Sequence, residues 1–364
     1  MAFVKKKVAI IGSGIAGLRV AWELIKAGHI VQIWAGTQKA ASFAGTGVAT
    51  MKGLCNPETT LFRHKHQGHE NLRLFLREID PTLIVVNGVS EYFFDSQEYS
   101  YLSKRIYRNQ FRGLYRVDVR TNQLSARVKK DDVSAVGEFY FANDYAYDVQ
   151  KLLTVLKRKL IQAGAQIFES DVSELKGPER LGVMCEGEEY NVDAVILAAG
   201  ASTNELLNNS HLPTLPLQYV KGETLIGSCD RALNFAVTMA KENMAAYDGK
   251  VILGSTSYRT EQVELESAVS LDIPLNMTRL SLVKEHCNLI SHQRGIRTRA
   301  KDLRPIAGSL ENFSETFKNI YVVTGLYKSG YTLIHDIATQ MCKSISQNTT
   351  MTIDGSFDVN RFLN

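Results

Sequence analysis

Residues 8–36 read VAIIGSGIAGLRVAWELIKAGHIVQIWAG, and the fold is decided in this stretch. Val8 to Ile11 form a continuous apolar run, as a parallel strand covered on both faces should. Gly12, Ser13, Gly14, Ile15, Ala16 and Gly17 follow, with the glycines at the GxGxxG spacing. Gly12 permits a tight turn, Gly14 lets backbone approach a pyrophosphate, and Gly17 lets a helix pack closely on the strand. The N-terminus of that helix offers N–H donors and a positive dipole end. The spacing of Leu18, Ala21, Trp22 and Ile25 predicts a helix over 15–26, which Ala27-Gly28 stops. His29 to Trp34 supply a second strand. A bare GxGxxG is weak, but inside a strand, turn, helix and strand of about 30 residues it marks a dinucleotide site. One position departs from the pattern. Where such units place a carboxylate for the ribose hydroxyls, Ala35 stands, followed by Gly36. An adenosine held by backbone and neighbouring loops, without an acidic anchor, is the expectation.

The chain has 364 residues, enough for one large or two interleaved domains. With 45% hydrophobic and 22% charged residues it reads as an ordinary globular protein. Lys5, Lys6 and Lys7 precede the apolar run as in a signal peptide, but Gly12, Ser13 and Gly14 interrupt it and no cleavage pattern follows. No segment approaches the roughly 18 uninterrupted apolar residues of a membrane span, so a cytoplasmic location is expected. Cys55, Cys185, Cys229, Cys287 and Cys342 are odd in number and scattered, without a CxxC pair, which argues against a disulfide framework and a zinc site. His64, His66 and His69 do not fall on one helix face and read as solvated side chains; no metal site is expected.

Two later stretches complete the first. VDAVILAAGASTNELL (192–207) reads as a buried strand, a small-residue turn and a helix from near Ser202; it follows a helix over 149–162 and strands over 165–169 and 172–175. GIRTRAKDLRPIAG (295–308) precedes NIYVVTGLYKSGYTLIHDIATQMCKSI (319–345), a strand, a glycine turn and a helix from near Thr332. Together these resemble the FAD-dependent D-amino-acid oxidase superfamily, which includes glycine and sarcosine oxidases. The resemblance implies an α/β chain, α+β overall. A Rossmann-like FAD-binding domain would comprise 1–84, 146–214 and 294–364, and a mostly antiparallel substrate domain 85–145 and 215–293. It implies non-covalent FAD on the Gly12–Gly17 turn, on Ala41, Ser42 and Gly47 of a small-residue stretch, and on Val172, Ala199 and Gly200. Gly325, Lys328, Ser329, Gly330, Tyr331 and Thr332 belong to the last turn and helix, whose N–H groups would face the flavin pyrimidine ring.

On the substrate side, Gly295-Ile296-Arg297 matches the family's Gly-Leu-Arg, with Thr298 in place of the usual proline. The resemblance implies that Arg297 holds the substrate carboxylate by two parallel charge-assisted bonds. Tyr258 and Tyr327 are secondary candidates, as are Tyr219 and Tyr247, against core or rim packing. The implied reaction oxidises the C–N bond of an amino acid or N-substituted glycine: hydride goes to flavin N5, water hydrolyses the imine, and oxygen is the acceptor. No catalytic acid or base is needed. Residues 100–130 carry nine cations against Asp118 alone, and Arg105, Arg108, Arg112 and Arg116 would share a face if helical. This is either a solvated basic face or a landing surface for phosphates. The chain is also similar to the oxidase domain of the bifunctional enzyme that modifies the tRNA wobble uridine, which implies tRNA as an alternative partner and removal of a carboxymethyl group as the alternative reaction. A non-catalytic flavin-binding protein is the third reading.

Overall fold

The computed structural model describes residues 4–38, 40–51, 60–110, 117–120, 128–177, 179–229, 233–261, 263, 273–313 and 318–363. The strand Lys7–Ile11 lies at the centre of a six-stranded sheet. It pairs in parallel with Ile30–Trp34 on one side and Ala194–Leu197 on the other. Gln166–Phe168 extends the first flank and Ile320–Thr324 the second, both in parallel, and Ile306–Ser309 closes the edge antiparallel. Strand alternation sends successive side chains to opposite faces. Val8 and Ile10 pack under the helices Ile15–Lys26, Thr60–Ile79, Val149–Gln162 and Gly330–Gln347, through Leu18, Leu72, Leu152 and Ile334 among others. Ala9 and Ile11 face the other layer, where Leu206 and Leu207 of the helix Thr203–Asn209 meet Leu175 and Val183 of a three-stranded antiparallel sheet. Each fully buried Leu or Ile contributes about 1.5–3 kcal/mol, so both layers are needed to hold the apolar strands. The chain is α/β, as its sequence implies.

The last helix begins at Gly330, two residues before the expected start, after a 3-10 turn over Tyr327–Ser329. It packs beside Thr60–Ile79 at Gly68, where a Cβ would lie 2.1 Å from the Thr332 carbonyl oxygen.

A second sheet of ten strands lies against the first unit. Its spine is the antiparallel pair of Leu217–Cys229 with Cys287–Ala300. Lys250–Gly254, Glu242–Tyr247 and Phe235–Met239 follow, then Ile84–Phe93, Gly137–Tyr147 and the short Val48–Ala49. Only the contact of Phe235–Met239 with Ile84–Phe93 is parallel among these. The strand Cys287–Ala300 runs through the expected boundary at 293/294, and its far end bridges from Arg299 to Leu326.

Two expectations change, and a third falls partly outside the described residues. Cys229 and Cys287 are joined in a disulfide, their Cα atoms 4.2 Å apart, although cysteine spacing argued against one. Their 58-residue separation hides what strand register decides: they end the spine as directly opposed partners. His69 is buried at 2% exposure rather than solvated. The basic stretch is helical only to Gln110 within the described residues, so Arg105 and Arg108 share the helix Ser96–Gln110 while Arg112 and Arg116 lie outside them. Among the described residues no helix is long and apolar enough to cross a membrane.

Candidate functional site

A cavity of about 990 Å³ opens where the C-terminal ends of the parallel strands meet the second sheet. Ligands of open α/β sheets bind at these strand ends. Gly12, Ser13, Gly14, Ile15 and Ala16 line it, and the three glycines of the turn do different jobs. At Gly12 φ is +112°, and a Cβ there would lie 2.3 Å from the Ala198 carbonyl oxygen. Gly17 does not reach the cavity; its absent Cβ leaves room for the Gly12 oxygen, 2.0 Å away. Gly14 lines the cavity, and a Cβ there would press on Ser42 Oγ at 3.2 Å, the same oxygen that accepts from the Ile15 N–H.

Ser42 ties three distant segments together. Its Oγ accepts from the Ile15 N–H at 3.0 Å, and its carbonyl accepts from the Tyr331 hydroxyl at 2.9 Å. Neither helix is capped by the side chain of its own N-cap residue, Gly14 or Ser329, and the first turns of both face the cavity. Each brings the partial positive charge of a helix N-terminus. Ala41, Ser42, Gly47, Val172, Ala199, Gly200, Lys328, Ser329, Gly330, Tyr331 and Thr332 all line the cavity. Gly200 has φ +58° with open space where its Cβ would be. Gly325, φ +66°, stands outside the lining and supplies the turn before the helix.

At the end of the second strand a carboxylate is present after all. A Cβ on Gly36 would lie 2.8 Å from Asp171 Oδ1, and Asp171 accepts from the Thr37 hydroxyl at 2.6 Å and from the Thr37 N–H. Both Gly36 and Asp171 line the cavity. The acid comes from the loop after Gln166–Phe168, which pairs beside Ile30–Trp34. At 134 residues from Thr37 it is invisible to a local reading of VQIWAG.

The segment from Thr46 to Met51 also lines the cavity and is held from behind by Asp144. This carboxyl group is 2% exposed, accepts from Thr50 Oγ1 at 2.7 Å and from the Met51 N–H at 3.1 Å, and lies 3.4 Å from His69 Nε2. Burial pushes Asp144 up to about 7, against the opposing pull of those two hydrogen bonds and of Arg73. Burial lowers His69 instead. Neither residue stood out in the sequence, since one is a lone acid inside a strand and the other one of three helical histidines.

Arg297 reaches the cavity from the strand Cys287–Ala300. Its guanidinium lies on Gly222, where a Cβ would fall 1.9 Å from Nη1, and Nη1 donates to the Thr256 carbonyl at 3.3 Å. Desolvation draws it below the usual guanidinium range, with the neighbouring Tyr327 opposing. Tyr327 lines the cavity with φ +50°, its ring 5.9 Å from Arg299 Cζ and 5.8 Å from Lys328 Nζ. Tyr258 is not brought to the site: it sits on the edge strand Tyr258–Thr260 at 46% exposure. Tyr247 is buried in the core of the second sheet, and Tyr219 also lies off the lining. Lys241, Asn243 and Ser255, which the sequence did not single out, do line the cavity. Lys241 stands in the hairpin turn joining Met239 to Glu242, a local feature whose destination depends on how the sheet docks.

The family described as FAD dependent oxidoreductase, abbreviated DAO, matches residues 7–343. The chain belongs to this family. No curated protein matches it. Among solved structures it is similar to the glycine oxidase of Geobacillus kaustophilus, with TM-score 0.79 and 21% identity over 99% of this chain and 100% of that one. It is also similar to the iminodiacetate oxidase of Chelativorans sp. BNC1, with TM-score 0.80 and 20% identity over 96% and 98%. The glycine oxidase of Bacillus cereus ATCC 14579 gives 0.77 and 19% over 96% and 99%. At these identities what is shared is the fold. The cavity fits FAD on its own evidence: two helix N-termini that face it, a glycine, Gly14, in its wall beside one of them, and a volume suited to a large ligand.

Proposed function

We propose that this chain is an FAD-dependent oxidase of the C–N bond in an amino acid or N-substituted glycine. The observation that carries the reading is Arg297, a desolvated guanidinium facing the cavity that forms no ion pair among the described residues. A half-buried, desolvated cation left in this way is costly, and a bound carboxylate would satisfy it with two parallel charge-assisted bonds. The Gly12–Ala16 turn, Ser42, Ala199-Gly200 and the first turn of the Gly330–Gln347 helix are the groups that would hold FAD, without a covalent link. The chemistry bound FAD supplies is two-electron oxidation: a hydride leaves the substrate α-carbon, the resulting imine is hydrolysed by water, and oxygen is the expected acceptor. The protein's part is orientation. Arg297 fixes the carboxylate, Gly222 gives the guanidinium room to lie flat, and the second sheet excludes water from one side.

Anaerobic addition of glycine, sarcosine or another N-substituted glycine should bleach the yellow flavin of the purified protein. Arg297→Lys should lower kcat/KM roughly 30- to 1,000-fold, the equivalent of about 2–4 kcal/mol, while leaving the flavin bound. Unchanged turnover in that variant would remove Arg297 from the site. A second reading, in which the same N–CH2–COOH group is part of a tRNA wobble uridine, draws on the nine cations of residues 100–130. Flavin bleaching by undermodified tRNA, weakening steeply with salt, would favour it.

A further inference from the structure

We infer that Thr256 is a positioning residue for Arg297: its hydroxyl replaces its own carbonyl in the sheet, which leaves that carbonyl to aim the guanidinium. This deepens the proposed amine oxidation and rests on the reading of Arg297 made there.

The strands Lys250–Gly254 and Tyr258–Thr260 pair in succession with Leu217–Cys229, Gly254 opposite Thr224 and Tyr258 opposite Lys221. Three residues, 255–257, therefore face two, Glu223 and Gly222. Such a β-bulge re-aims groups of the longer strand. In a regular hydrogen-bonded pair of an antiparallel ladder, each residue gives its N–H to the other's carbonyl. Here only half of that exchange runs between backbones. The Thr256 N–H donates to the Glu223 carbonyl at 3.1 Å, but the Glu223 N–H donates to Thr256 Oγ1 at 2.9 Å. The Thr256 carbonyl is thus released from the ladder, and it accepts from Arg297 Nη1 at 3.3 Å.

Gly222 completes the seat. Nη1, Cζ and Nη2 all lie within 2.4 Å of where a Gly222 Cβ would be, so the guanidinium rests on this residue. That contact sets the tilt of the guanidinium plane, and the carbonyl sets its rotation. The Glu223 carboxylate is directed elsewhere: it lies 3.3 Å from Lys221 Nζ, and strand alternation turns both side chains to the face away from Gly222. Neutral groups therefore hold Arg297, and its charge is left for a ligand carboxylate. Thr256 is 6% exposed and does not line the cavity, so it acts on a substrate through Arg297. A fork held in advance loses less freedom when a carboxylate binds.

The test uses the FAD-loaded full chain with glycine, sarcosine and iminodiacetate, and separates KM from kcat. Thr256→Val keeps the shape and removes the hydroxyl, so the Glu223 N–H must take the carbonyl from Arg297. For the best of the three amines KM should rise roughly tenfold while kcat stays within about twofold, and Thr256→Ser, which keeps the hydroxyl, should stay near the wild type. A wild-type flavin spectrum certifies an assembled site. Should Thr256→Val lose its flavin, Thr256→Ala, which only deletes atoms, carries the same prediction. In an Arg297→Lys background Thr256→Val should add little to KM, because an ammonium has no plane to aim. An equal rise in both backgrounds, a loss confined to kcat, or an unchanged KM would overturn the inference while leaving amine oxidation intact. Bleaching by none of these amines, or turnover indifferent to Arg297→Lys, would instead bring down the reading of the site and this inference with it.

Discussion

A Cβ placed on each of the three turn glycines separates their roles, which a shared motif conceals. Gly12 cannot carry a side chain, because φ is +112° and the Ala198 oxygen occupies the space. Gly12→Ala should therefore destabilise the folded chain even without ligand, by about 1–3 kcal/mol or more, read from urea unfolding of the apoprotein. Gly14 has ordinary backbone angles, φ −70° and ψ 177°, and only the Ser42 hydroxyl within 3.2 Å. Gly14→Val should cost the apoprotein less than Gly12→Ala does and weaken FAD at least tenfold in a fluorescence titration. Equal FAD affinity in that variant would undo the assignment of this turn to the pyrophosphate. Asp171 adds a lesson at the same scale, since the acid absent from the second strand is supplied beside Gly36 by another loop.

Among the elements, the segment 46–51 is held by a titrating group. Asp144 holds Thr50 and Met51 from the strand Gly137–Tyr147, with His69 and Arg73 on the facing helix Thr60–Ile79, and Glu70 and Glu91 nearby. In the folded chain Asp144 is pushed up to about 7, whereas in an unfolded chain an aspartate titrates near 3.9. Between those values the folded state keeps a proton that the unfolded state has released. The stability this group contributes is thus complete below about pH 4 and lost as pH rises through about 7. Asparagine keeps an acceptor for Thr50 and Met51 without titrating. Asp144→Asn should accordingly gain on the wild type between about pH 5 and about pH 8 in urea unfolding, and parallel stability curves would contradict it. His69 works in the opposite sense, since burial lowers it and its contribution fades as pH falls.

At the scale of the whole molecule, the cavity draws on parts that have no other reason to be ordered together. Residues 12–16, 40–42, 44–51, 171–173, 198–202, 323–324 and 326–332 line it, from five widely separated parts of the chain. A ligand bound there stabilises the native state alone, so FAD at roughly 100 times its Kd should add about 2.7 kcal/mol. The Tm of the apoprotein should rise by several degrees on adding FAD and continue upward with the logarithm of its concentration. A Tm independent of FAD would mean that the cavity is not where FAD binds.

What the sequence by itself determined was local or repeated in a known pattern. Apolar runs and glycine spacing placed the strand Lys7–Ile11, the helix Ile15–Lys26, the strand Ala194–Leu197 and the last helix to within a residue or two, because backbone sterics and side-chain periodicity act over a few residues. Arg297 was legible through its neighbours Gly295 and Ile296. Only the tertiary structure decided which distant groups meet: Cys229 with Cys287, Asp171 with Gly36, Asp144 with Thr50, and Lys241 with Arg297 around one cavity. These pairings follow from strand register and sheet docking, and both are set by burying apolar faces across more than fifty residues of intervening chain. No short window of sequence contains both sides of such a contact.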